Sequence, residues 1–117
     1  MTVSQAIERI DTLSPNMLSH PEKCRHLAAV DERIFYELYR ANRITPPELP
    51  DVSDPAADLM IPSPWDEAYV YYTAAMIEYA RCESARYNEH IALFHTLWGE
   101  YTDHFRRTHL PRGGFQY

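Results

Sequence analysis

Six large apolar or aromatic residues, Tyr87, Ile91, Phe94, Trp98, Tyr101 and Phe105, recur at alternating spacings of four and three. A strand cannot collect that set on one side, because its side chains change face at every residue. A helix can. The spacing is that of a coiled-coil-like seam on a helix of about 24 residues, roughly 36 Å long. Such a rod carries an apolar stripe along its length, so the rest of the chain has to cover it.

The preceding segments read as helices too. Thr2 and Gln5 stand in capping-box spacing before a helix over Val3–Leu13, whose face carries Val3, Ile7, Ile10 and Leu13. Ser14, Pro15 and Asn16 break it. A second capping box at Ser19 and Glu22, with Pro21 in the first turn, opens a helix running to about Asn42. Cys24, Leu27, Ile34, Phe35 and Leu38 form its apolar face, and Arg33, Glu37 and Arg40 its wet one. A third helix is expected from Ser63 as N-cap, Pro64 at the first helical position and acids in the first turn. Trp65, Ala68, Tyr69, Tyr72, Met76 and Tyr79 mark its stripe. Continuing that register lands on Glu83, Arg86 and His90, so the phase breaks near Cys82. A tight turn and an antiparallel helix pair follow from the break; one long bent helix is the competing reading.

Between the second and third helices the chain changes character. Six of the nine prolines fall between Ile44 and Pro64, together with Glu48, Asp51, Asp54 and Asp58. Proline fixes φ and removes an amide donor, so this stretch is neither regular helix nor central strand. Connections of about twenty residues in a compact domain are usually functional or disordered. Short extended pieces here could pair with a neighbouring chain. At the other end, residues 109–117 form an extended tail, with Gly113 and Gly114 for freedom and Phe115 and Tyr117 as apolar anchors.

The expectation is one all-α domain over residues 1–108: a small helical bundle of about four helices, the last two a long antiparallel pair. The Pro-rich acidic loop 44–64 is inserted in it, and the C-terminal tail 109–117 follows. At 117 residues there is room for one core. A chain of that size buries about two-thirds of its unfolded surface, enough to fold without metal or disulfide. A net charge of -6 argues against wrapping nucleic acid through phosphate contacts. It does not forbid DNA from passing close by, since an acidic wall prevents sticking. Cys24 and Cys82 fall in helical segments outside any CxxC pattern, read as small core residues in a reduced cytoplasmic setting. The sequence has neither an apolar run long enough to cross a bilayer nor a signal-like start, so neither secretion by that route nor membrane insertion is expected.

No catalytic or cofactor motif emerges. His90 and His95, like His104 and His109, are five apart, whereas two ligands on one helix face need three or four. The histidines therefore read as solvated or capping, with no metal site. The chain has three glycines, none in a phosphate-cradling loop, and no GxSxG elbow. Tyr69, Tyr72, Tyr79, Tyr87 and Tyr101 follow core periodicity and are expected to pack with hydroxyls at the rim. Tyr36, Tyr39 and Tyr71 fall off the stripes, as suits a subunit interface.

Several stretches together resemble a known family: TVSQAIERIDTLSPNMLS, VDERIFYEL, PSPWDEAYVYYTAAMIEYA, ARYNEHIALFHTLWGEY and RTHLPRGG. The pattern is similar to the small head-tail connector (adaptor) proteins of tailed bacteriophages, siphophages and prophages. Ala85-Arg86-Tyr87-Asn88 and Arg107-Thr108-His109 are its most telling pieces. Where this chain has Arg81 and Cys82, a glycine or asparagine is expected. The resemblance implies a non-enzymatic structural protein of the virion, made in the bacterial host cytoplasm. It implies partners as well: the portal protein, neighbouring copies in a ring, often of twelve in such proteins, and neck, stopper or tail proteins; the sequence does not give the stoichiometry. DNA is met only in transit through the channel, and no membrane is involved.

On that reading Glu48, Asp51, Asp54 and Asp58 face the channel or ring surface. His109, Arg112, Phe115 and Tyr117 belong to a tail that docks on the portal or a neighbouring subunit. Other readings of the same sequence are a head-completion or stopper protein, or a small cytoplasmic helical regulator that binds another protein.

Overall fold

The computed structural model describes residues 1–109. Helix α1 spans Val3–Leu13, α2 His20–Ile34, α3 Glu67–Ala80 and α4 Ser84–His109. The described chain is therefore all-helical, a small bundle with four α-helices and no strand beyond an isolated bridge between Thr2 and Asp58.

The first capping box forms in full: Gln5 N–H donates to Thr2 Oγ1 at 3.2 Å, and Thr2 N–H to Gln5 Oε1 at 2.9 Å. At α2 the Ser19 hydroxyl accepts from Glu22 N–H and donates to the Glu22 carboxylate. Lys23 reaches back to Asp11 at 2.8 Å, tying the start of α2 to the end of α1. Beyond Ile34 the helix widens. Residues Phe35–Arg40 form a π-helical turn, so that Ala41 N–H bonds the carbonyl of Tyr36, five residues back. The helical path thus ends at Arg40, short of the expected Asn42, and Arg43 turns the chain with a φ of 58°.

Helix α3 begins later than its sequence cues indicate. Ser63 does not cap it; Trp65 N–H bonds Pro62 O and Ala68 N–H bonds Trp65 O, so residues 62–66 are tight turns. Asp66 instead receives the N-terminal ammonium at 3.2 Å, which anchors Met1. Helices α1, α2 and α4 all pack on α3, and its buried residues, from Ala68 and Tyr69 to Ile77 and Glu78, surround more than one face. That explains a failed expectation. Tyr79, placed on the buried stripe by periodicity, is 69% exposed and leans on Tyr87 at the edge of the bundle.

The break near Cys82 is a tight turn between antiparallel helices. Tyr79 pairs with Tyr87, Tyr72 with Phe94 and, in the turn just before α3, Trp65 with Tyr101, so residue numbers fall towards the start of α3 as they rise on α4. Cys82 takes a φ of 58°, the left-handed conformation that glycine or asparagine adopts most cheaply. The expectation that Cys82 is a small core residue is corrected: it is exposed, because the turn points it outward, whereas Cys24 is buried as expected. Of the α4 seam, Phe94, Trp98, Tyr101 and Phe105 are buried, with Tyr87 and Ile91 partly so.

The Pro-rich segment runs over the surface of its own chain. Its carbonyls at Pro55 and Ala57 accept from the N–H groups of Ser4 and Val3, both at 3.0 Å, and Leu59 N–H bonds Met1 O at 3.1 Å. Amides at the start of α1, which no helical carbonyl can serve, thus find partners in the loop. Among the described residues this extended pairing is made within the chain. Leu59 and Ile61 then turn inward and join the core.

Candidate functional site

Glu48, Asp51, Asp54 and Asp58 are all exposed, and none has an ion-pair partner among the described residues. Asp51 and Asp54 are nevertheless ordered by local bonds. Asp51 accepts from the amide and hydroxyl of Ser53, which holds its carboxyl below the usual carboxylate range. Asp54 accepts from Ala56 N–H at 3.0 Å, and its own N–H bonds Asp51 O. These are turn-forming side-chain contacts of the kind Asp makes in loops. Asp58 sits in the bridge to Thr2, beside the start of α1. Asp51, Asp54 and Asp58 therefore lie in the stretch that local turns and bonds to α1 hold in place.

What anchors the far end of that segment is a buried polar pair. Asp31, on α2 and 2% exposed, accepts a hydrogen bond from the Tyr69 hydroxyl of α3 and another from Met60 N–H. The Tyr69 oxygen accepts in turn from Ile61 N–H at 2.7 Å. Burial pushes the Asp31 carboxyl up to about 6, although the bonds from Tyr69 and Met60 pull it down. Burial, joined by the nearby Asp31 charge, raises the Tyr69 phenol far above its ordinary value, so it remains a donor. Its hydroxyl lies inside the core and not at the rim as periodicity implies.

A second buried pair joins α3 to α4. Glu78 is fully buried, and its two oxygens lie 2.6 and 2.9 Å from His90 Nδ1. Arg86 Nε stands 3.7 Å from the same carboxylate, and the Tyr71 ring stacks on the imidazole with centroids 5.9 Å apart. For His90 this corrects the reading of the histidines as solvated or capping. His90 lies beside the seam and is carried inward because Glu78 supplies its partner. Arg86 and Arg81 extend the network outward to the carbonyls of Leu13 and Pro15. The turn between α3 and α4 is thereby laced to the connection between α1 and α2.

Neither pair is arranged for nucleophilic chemistry. Among the described residues no serine, threonine or cysteine side chain hydrogen-bonds His90, and no group of three or more His, Cys, Asp or Glu is placed to hold a metal ion. No helix of the described residues is long and apolar enough to cross a membrane.

Of the expected docking tail, Arg112, Phe115 and Tyr117 lie outside the described residues. His109 is the last residue of α4, its ring stacked on Phe105 at 4.0 Å and edge-on to Tyr39. It continues the aromatic end of the bundle. Tyr36 is 58% exposed, while Tyr39 and Tyr71 are half-buried against Phe105 and His90. Met17, held out by a loop that Asn16 braces through Asp11 and Leu18, is the most exposed large apolar side chain at 98%.

Sequence reasoning singled out neither Asp31 nor Glu78. One signal was available: both acids stand among apolar neighbours at core spacing, Asp31 between Leu27 and Ile34 and Glu78 beside Ala74 and Ile77. Compared with models of known families, with characterised proteins and with solved structures, the chain matches none.

Proposed function

We propose that this chain is a non-enzymatic assembly subunit, the head-tail connector of a tailed bacteriophage, which joins a ring of its own copies beneath the portal and links capsid to neck and tail. The resemblance in the Pro62–Ala80, Ala85–Tyr101 and Arg107–Gly114 stretches supports the family. The observation that carries the assembly reading is the anchored acidic segment. An exposed carboxylate costs little on a monomer, but four of them without an ion-pair partner among the described residues, on a segment fixed to the body by backbone bonds at Pro55, Ala57 and Leu59, concentrate negative charge on one stretch of surface.

In a ring, that surface repeats around the axis. Facing the channel, it repels the DNA backbone and keeps transiting DNA from adhering. The tail that follows His109 and carries Arg112, Phe115 and Tyr117 docks on the portal or on a neighbouring copy, with aromatics as anchors.

Co-sedimentation with purified portal rings tests this. The full chain pellets with the portal, and a chain truncated after His109 stays folded, with an unchanged thermal transition, but pellets less. A full chain that stays in the supernatant with portal yet pellets with neck proteins is a head-completion or stopper protein. One that binds neither overturns the connector reading and leaves the helical regulator.

A further inference from the structure

The Pro-rich segment is closed onto the body at its far end through a carboxyl group that is poorly served there. Asp31 Oδ1 takes both available donors, Tyr69 Oη and Met60 N–H, while Asp31 Oδ2 is buried with no hydrogen-bond partner. The titratable groups facing it are Tyr69 from α3 and Tyr101 from α4, both kept neutral by burial; the loop contributes only backbone amides. No cation pairs with Asp31 among the described residues. An ionised carboxylate in this place is a buried, uncompensated charge, which is costly. The element that can move to relieve it is the loop, because residues 59–61 lack helical bonds of their own.

We propose that Asp31 and Tyr69 form a proton-dependent clamp on the acidic segment: with a proton on Asp31 the segment stays closed, and loss of that proton lets residues 59–61 lift and water reach the carboxylate. The clamp deepens the connector reading, on which its role rests, because it sets how the acids of the segment stand relative to the body. The direction follows from linkage. The closed state holds the proton more tightly than an ordinary carboxyl near 3.8, while the open state does not. The advantage of closure is therefore complete below about pH 4 and is lost as pH rises through about 6.

Amide hydrogen exchange on the free chain tests the clamp. Corrected for intrinsic rates, protection at Met60 and Ile61 is expected to fall by about a hundredfold from about pH 4 to about pH 8, while that of Leu27 in α2 stays level. In Asp31→Asn the pH dependence disappears. Level protection in the native chain, or an equal decline in Asp31→Asn, would overturn the proposal. Direct carbon NMR titration of the native Asp31 carboxyl decides the matter even if the variant fails to fold. A midpoint near 6 supports the clamp, and one near 4 overturns it. Tyr69→Phe, which removes a donor to the ionised form, raises that midpoint and lowers protection at Ile61 at every pH. No portal is present in these measurements, so a failed clamp leaves the connector reading standing, and failed portal binding leaves the clamp standing.

Discussion

Glu78 of α3 presents both carboxylate oxygens to a single ring nitrogen of α4, His90 Nδ1, at 2.6 and 2.9 Å. The contact bolts together the two helices that form the largest interface of the bundle. Neither group is at home in a core without the other.

Replacing His90 by leucine leaves the buried Glu78 carboxylate with only the half-exposed Arg86 guanidinium at 3.7 Å, and a loss of about 3 kcal/mol is expected in urea unfolding. Replacing both residues by leucine recovers most of that loss, because an apolar pair of similar volume carries no desolvation cost. A His90→Leu cost no larger than that of a surface change would mean that water reaches Glu78.

Cys82 is held at a φ of 58° with its thiol exposed. Relief of the left-handed strain by Cys82→Gly outweighs the added freedom of the unfolded chain, for a net gain of about 1 kcal/mol. Thermal denaturation reads this as a higher midpoint. A fall would show that the side chain packs. A thiol reagent should also label one cysteine quickly in the native protein and the second, Cys24, only on unfolding.

Ile61 is fully buried although it lies in the Pro-rich segment. Ile61→Ala is expected to cost about 2 to 5 kcal/mol, the range for deleting core methylenes. A segment merely draped over the surface would lose less than about 0.5 kcal/mol.

Converting Glu48 to Gln and Asp51, Asp54 and Asp58 to Asn leaves the exposed segment's turns intact, since amide oxygens still accept from Ser53 and Ala56. Folding stability should shift by no more than about 0.5 kcal/mol per site. On the connector proposal, rings assembled from this variant should bind duplex DNA at low salt more than rings of the native chain do, and release it as salt rises. Indifference to DNA in both forms would remove the acids from the channel.

The parts of the fold legible in the sequence are those where one helix meets one surface. Thr2 with Gln5 and Ser19 with Glu22 announce two helix starts, and Phe94, Trp98, Tyr101 and Phe105 announce the seam of α4. Legibility fails where several partners compete. Helix α3 is covered by three neighbours, so no single period describes it, and Tyr79 falls outside while Glu78 falls inside. Its start moves from Ser63 to Glu67 because residues 62–66 are held in tight turns, with Trp65 N–H on Pro62 O and Ala68 N–H on Trp65 O. Prolines correctly mark residues 44–64 as irregular, but irregular backbone still buries Leu59 and Ile61. As for the site, the four acids could be read directly from composition. The clamp beneath them could not, since Asp31 and Tyr69 lie 38 residues apart and only the fold brings them together.

Electron microscopy of the chain mixed with its portal tests the central claim most directly. The account predicts an added ring of density on the neck side of the portal, symmetric about the channel, with the segment from Ile44 to Pro64 facing the lumen. Portal particles without added density at saturating chain, or density bound off the axis without closing into a ring, would contradict it.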